Sequence, residues 1–487
     1  MILSIFLDHS KAHKRIWWQK GTPYLFATIC VYICSILCYR RPMYDLILKN
    51  ALVALDKNNE IRFEQTDIAV TNGKIAKIGA LDSASSKETR DLAGMHILPG
   101  LIDTQVHFRD PGLTHKEDLH TGSKSAVLGG VTGFFEMPNT IPLTINVEEF
   151  NKKIQRASEV SYCDFSFFIG ASASNIKELP ELQNLEGCCG IKIFMGSSTG
   201  NLLINNKKQL EEIFATTQRT IALHCEDEDI LIENMKKHKE EDVSVSDHPV
   251  IRNVNAAITA TKTAVELSKK LDRNIHILHI SSKDEVEFLL ENKTPYITVE
   301  VTPQHLSLSA PQCYEELGSY AQMNPPIRSK DHTEAIWKGL NNGLFDILGS
   351  DHAPHLKEEK DRKYPKTPSG MPGVQTIIPI MLDHINKGGF SLERLVQMMS
   401  SFPAKRFGIK NKGQIKEGFD ADFTVVNMKK EVTLTHEMMA SKCGWTPYNG
   451  KNIQGFPIMT IIRGNIIMDN GEVLGEPSGQ SISFNKL

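Results

Sequence analysis

The stretch Leu101-Ile-Asp-Thr-Gln-Val-His-Phe-Arg109 opens as an apolar strand and ends in side chains that a core would not select. Side chains alternate along a strand, so Gln105, His107 and Arg109 are expected to share one face. Seven further short apolar runs follow, at 131–137, 165–169, 191–195, 221–224, 275–280, 296–301 and 345–349, with helical stretches between them. The helix expected over 255–271 carries alanines and apolar residues at helical spacing, with Lys269 and Lys270 near its C-terminal end, where cations are favoured. Strands alternating with helices in this number, over roughly 300 residues, are the pattern of a (β/α)8 barrel, with a doubly wound sheet as the rival.

What separates the two is where the misplaced polar residues fall. Lys192 lies within Gly-Ile-Lys-Ile-Phe-Met, where a bare ammonium is costly to bury. His224 closes one run, His279 another, and Asp351 follows the last. Taken singly, a histidine at a strand end is more often a hydrogen-bonded structural residue than a ligand, and a lysine in a strand usually reaches solvent. Together, the ends of the first, fourth, fifth, sixth and eighth runs each supply a candidate ligand to one rim. Imidazole nitrogens and carboxylate oxygens are what zinc takes, so the coincidence favours a metal site at a barrel mouth.

Around the barrel pattern, strand-like segments at 45–48, 67–70 and 74–78 and again at 422–426 and 459–462 suggest one small β-sandwich domain built from both chain ends. Asn72-Gly73, Gly464-Asn465 and Asn470-Gly471 read as its turns. The expected division is 1–42 as an extension, 43–96 and 403–487 as the two parts of the small domain with a C-terminal tail, and 97–402 as the barrel. Residues 24–39 are apolar and uncharged, yet as a helix they would span only about 24 Å. They read as upstream sequence outside the working fold, with a membrane anchor as the alternative and a cytoplasmic enzyme as the expectation.

At 487 residues and 40% hydrophobic composition the chain can bury a large core. A net charge of −3 gives no basic footprint for nucleic acid, which leaves a small-molecule substrate. Nine cysteines without paired spacing suit reduced thiols and not a disulfide framework. A homo-oligomer is expected.

The motifs Asp103-Thr-Gln-Val-His-Phe-Arg-Asp-Pro-Gly112, Met137-Pro-Asn-Thr140, Gly190-Ile-Lys-Ile-Phe-Met195, Leu223-His-Cys-Glu-Asp227, Met323-Asn-Pro-Pro326 and Gly349-Ser-Asp-His-Ala-Pro-His355 occur in this order. The region from 97 to about 425 resembles the amidohydrolase superfamily and, within it, dihydroorotases of the long bacterial type. The resemblance implies a zinc-dependent cyclic amide hydrolase with one or two ions. His107, Lys192, His224, His279 and Asp351 would be ligands, Lys192 as a carbamate formed with CO₂. Asp351 would also move the proton, with a metal-bound water as nucleophile. Arg109, Asn139 and His355 would hold the substrate carboxylate, and Asn324 the ring. One position departs from the family: Gln105 stands where its relatives carry a histidine ligand, and an amide oxygen is the weaker ligand. Other cyclic amidases (hydantoinase, dihydropyrimidinase, allantoinase), which generally lack the arginine two residues after the metal histidine, and a catalytically inactive subunit are the alternatives.

Overall fold

A computed structural model describes residues 43–58, 60–197, 202–239 and 241–487 of the chain. The stretch 24–39, read as upstream sequence with a membrane anchor as the alternative, lies outside the described residues, among which no helix is long and apolar enough to cross a membrane.

The barrel strands are β1 (Leu101–Val106), β2 (Val131–Glu136), β3 (Asp164–Gly170), β4 (Cys188–Phe194), β5 (Ile221–His224), β6 (Ile275–Ile277), β7 (Ile297–Val301) and β8 (Ile347–Leu348). They pair in chain order, all parallel. A bridge between Val106 and His352 joins the last strand's extension to the first. Each strand is buried on both faces, as a parallel sheet covered by helices requires, which is why the runs read as continuous apolar segments. Ile102, Phe135, Phe168, Ala222 and Ile347 belong to one interior cluster. Phe407 and, from the C-terminal tail, Ile482 and Phe484 pack into that cluster, and Phe407 meets Phe135 edge-on at 5.0 Å. The helix expected at 255–271 is Val254–Leu271: the Asn253 side chain accepts from the Ala256 amide, and Asp272 ends it in the left-handed region.

The two chain ends meet as expected. Strand His96–Pro99 pairs with Phe423–Thr433, placing Ile97 beside Val425 in one mixed nine-stranded sheet. Leu48, Val53, Ile68 and Val70 from one end share a core with Phe423, Val425 and Ile461 from the other. Asn72 and Gly73, at φ 51° and 73°, form the anticipated hairpin turn. The later turn is centred on Arg463-Gly464, one residue earlier than expected, because Ile462 pairs directly with Asn465. The six described cysteines are all buried and free.

Candidate active site

The first motif corrects the simplest reading of alternation. Strand β1 ends at Val106 and its register against β2 shifts after Asp103. Arg109 lies beyond the strand with φ 63°. Gln105, His107 and Arg109 nevertheless line one cavity, brought there by the turn that follows the strand and not by a shared strand face. His279 and Asp351 also have positive φ, 33° and 44°. Such backbones cost about 1–3 kcal/mol each for residues with a Cβ and persist only where surrounding structure holds them.

The cavity also takes Lys192, His224, His279, Asn324 and Asp351 into its wall, with Phe194, Ser369 and Gly370 beside them. Register explains the depths: Ala222 pairs with Lys192 and His224 with Phe194, so Lys192 sits one pleat deeper than His224. Its ammonium nitrogen lies 4.4 Å from the Phe194 ring centre. Burial pulls the Lys192 pKa down to about 7, against the opposing pull of Asp351 and Glu300. Asn139 and His355 stand behind the wall. Asn139 Oδ1 lies 2.8 Å from His107 Nδ1, and His355 Nε2 lies 3.2 Å from Arg109 Nη2.

The donors are arranged as two close pairs. His107 Nδ1 lies 2.8 Å from Asn139 Oδ1, and its Nε2 lies 3.3 Å from Asp351 Oδ1. His224 Nε2–H donates to Glu226 Oε2 at 2.8 Å, turning its Nδ1 lone pair toward His279 Nε2 at 3.0 Å. Burial lowers the pKa of all three histidines, so the neutral, ligating form is favoured. No three His, Cys, Asp or Glu side chains converge on a single point among the described residues. Gln105 Oε1 is buried without a hydrogen-bond partner. Imidazole nitrogens, a carboxylate and an unanswered amide oxygen on one wall are the donor types that zinc takes.

Sequence reading gave no role to several residues that orient these groups. Burial opposes a charge on Glu226, yet Arg252 and His224 hold its carboxyl far below the ordinary range. Arg252 Nε lies 3.1 Å from both Glu226 oxygens. The only signal for Glu226 was an acid two residues after a strand-end histidine, and Arg252 had none. His248 donates Nε2–H to Asn324 Oδ1 at 2.9 Å and so orients that amide. His355 Nε2 lies 3.0 Å from the Ser369 carbonyl, and its Nδ1 lies 3.2 Å from Lys116 Nζ.

Arg109 is the electrostatic anomaly. It is 3% exposed, and burial lowers its pKa only to about 10, so it stays charged at neutral pH. Its Nε donates to the Pro354 carbonyl at 3.3 Å. None of the ion pairs among the described residues includes it.

A barrel of this topology, with histidines, a buried lysine and an aspartate at one mouth, defines a class. A model of the amidohydrolase family matches residues 96–467, and the chain belongs to that family. It is 37% identical to the dihydroorotase of Methanosarcina acetivorans over 449 residues, covering 89% of this chain and 94% of the relative. It is 36% identical to the dihydroorotase of Pyrococcus abyssi, covering 85% and 94% respectively. Among solved structures, L-hydantoinase from Arthrobacter aurescens superposes with a TM-score of 0.86 at 30% identity, covering 91% of this chain and all of that one. Dihydropyrimidinase from Brevibacillus agri gives 0.83 at 25% identity, over 91% of this chain and 100% of that one.

Proposed function

We propose that the chain is a zinc-dependent dihydroorotase, interconverting dihydroorotate and N-carbamoyl-L-aspartate, and that ring closure is the direction that serves pyrimidine synthesis. The observation that carries this reading is the buried, charged and unpaired Arg109 on the cavity wall. The Asp351, Glu136, Glu359 and Glu117 carboxylates support that charge from a distance without an ion pair to it, and the ring carboxylate of dihydroorotate would supply a direct partner in a geometry suited to two parallel hydrogen bonds. Hydantoin and dihydrouracil supply none. The relatives named dihydroorotase support the same substrate.

His107, His224, His279, Asp351 and Lys192 as its carbamate would hold one or two zinc ions, with Gln105 Oε1 as a further, weaker donor. When bound, the metal supplies Lewis-acid polarisation of the amide carbonyl and lowers the pKa of water. Lys192 in its neutral form attacks CO₂ and releases a proton, which replaces a costly buried ammonium by a ligating anion. Arg109, with Asn139 and His355 behind it, grips the carboxylate, and Asn324 meets the ring. Asp351 takes the proton of the attacking water and passes it to the amide nitrogen as the ring C–N bond breaks; closure runs the same transfers backward. A cytoplasmic homo-oligomer belongs to the same reading.

The test is a substrate panel on purified, metal-analysed protein. Dihydroorotate and N-carbamoyl-L-aspartate should be processed far faster than dihydrouracil, hydantoin or allantoin. Comparable rates on the carboxylate-free rings would move the assignment to the hydantoinases that the fold also resembles. Absent turnover together with absent metal would make the chain an inactive subunit.

A further inference from the structure

Between strands Phe423–Thr433 and Asn452–Ile462 the chain leaves the small sheet and runs to the barrel mouth. The Gln375 amide brackets this segment, donating to the Met438 carbonyl at 2.7 Å and accepting from the Ala440 amide at 2.9 Å. Ser441 then donates its hydroxyl to Glu117, a fully buried carboxylate that also meets His352 Nε2 at 3.4 Å. Four residues on, Trp445 is 1% exposed, and its indole N–H donates to the backbone carbonyl of His355 at 2.8 Å. Its ring meets Tyr320 edge-on at 4.9 Å and packs in one cluster with Met323 and Met371.

These contacts are not scattered. His355 stands behind Arg109, Met323 precedes Asn324, and Met371 follows Gly370 of the cavity wall. The indole therefore holds the His355 segment directly and shares one apolar cluster with the Met323 and Met371 segments on the substrate side of the cavity. No hydrogen bond or ring contact of Trp445 involves either donor pair, His107 with Asp351 or His224 with His279.

We propose that Trp445 is a positioning residue for substrate binding: from outside the barrel it fixes the His355 backbone and the Asn324 segment, and so sets the shape of the carboxylate cradle. This rests on the dihydroorotase reading. The buried His355 carbonyl has the indole as its donor, so losing that N–H releases the backbone on which the His355 ring stands. The ring must keep its place between Ser369, Lys116 and Arg109 for the cradle to fit one anion.

Trp445→Phe keeps one aromatic ring but removes the N–H together with the second ring of the indole. The KM for N-carbamoyl-L-aspartate and for dihydroorotate should rise roughly five- to ten-fold, with kcat within about two-fold. Zinc content should match the native protein, while the thermal midpoint should fall by a few degrees, because a smaller buried ring and an unanswered carbonyl both cost stability. In an Arg109→Met background, where the cradle is already lost, the same change should add little, because effects acting through one group do not add. If Trp445→Phe melts below assay temperature, Ser441→Ala loosens the same segment and should show the same split. An unchanged KM, a parallel fall in kcat and metal, or full additivity with Arg109→Met would overturn the proposal alone. A native protein without turnover on either compound would overturn the dihydroorotase reading, and this proposal with it.

Discussion

The Gln105 side-chain amide donates to Asp351 Oδ1 at 3.0 Å across 246 residues of chain, and that same oxygen faces His107 Nε2 at 3.3 Å. A carboxylate oxygen can only accept, so the amide nitrogen must face Asp351 and Gln105 Oε1 is left buried without a partner. The glutamine therefore restrains the aspartate proposed to carry the proton, and offers any cation only a neutral oxygen. Gln105→His would replace that oxygen with an imidazole nitrogen, a better zinc ligand. The expected outcome is tighter zinc binding or higher zinc content in metal titration, with turnover retained. A drop in both metal and turnover would mean that the pocket is shaped for the amide.

Arg109→Met should remove the preference for carboxylate-bearing rings while leaving metal content intact. Hydrogen bonds to a charged group are worth about 1.5–3 kcal/mol each, so kcat/KM for dihydroorotate should fall roughly ten- to several-hundred-fold. Rates on dihydrouracil should change far less. A uniform loss on both rings would show that the arginine serves the fold and not the carboxylate.

Lys192→Ala tests the carbamate. With Lys192 fully buried and its pKa pulled down to about 7, the neutral amine that reacts with CO₂ is well populated at neutral pH. The alanine variant should lose most bound metal and nearly all turnover, and short carboxylic acids should restore part of both. Metal content equal to the native protein would remove Lys192 from the ligand set.

Away from the site, Lys412 joins the barrel to the small sheet. Its ammonium lies 2.7 Å from Asp164 Oδ2 on β3 and 3.1 Å from Asp420 Oδ2, and it also pairs with Asp422. Lys412→Met should destabilise the protein by about 3–5 kcal/mol, because removing one partner of a buried ionic cluster leaves the others uncompensated. Burial raises the Asp420 pKa, but Lys412 and Lys74 outweigh it and hold the carboxyl below its usual range. A depressed folded-state pKa contributes stability that is present above the unfolded value and lost as pH falls through the folded one. Native melting temperature should therefore fall on acidification below about pH 4, and the Lys412→Met variant should lose less there. Equal acid sensitivity in both proteins would assign the acid loss to other groups.

The order of apolar runs in the sequence marked eight parallel strands, because a parallel strand covered on both faces must be apolar throughout, and the polar residues that close those runs separated a barrel from a doubly wound sheet. The polar residues closing those runs marked the mouth for the same reason: Lys192, His224, His279 and Asp351 are out of place in a core unless a site pays for them. Alternation failed only past Val106, where the strand stops and Arg109 takes a left-handed backbone that no local pattern announces. Other relationships were decided by tertiary structure alone. The bond from Trp445 to His355, the clamp of Arg252 on Glu226 and the cluster around Lys412 join residues far apart in the chain or on separate elements. Each side chain taken alone reads as an ordinary surface or core residue. Their partners are set by how the barrel closes and how the small sheet docks on it, and sequence periodicity reports only which way a side chain faces, not what it meets.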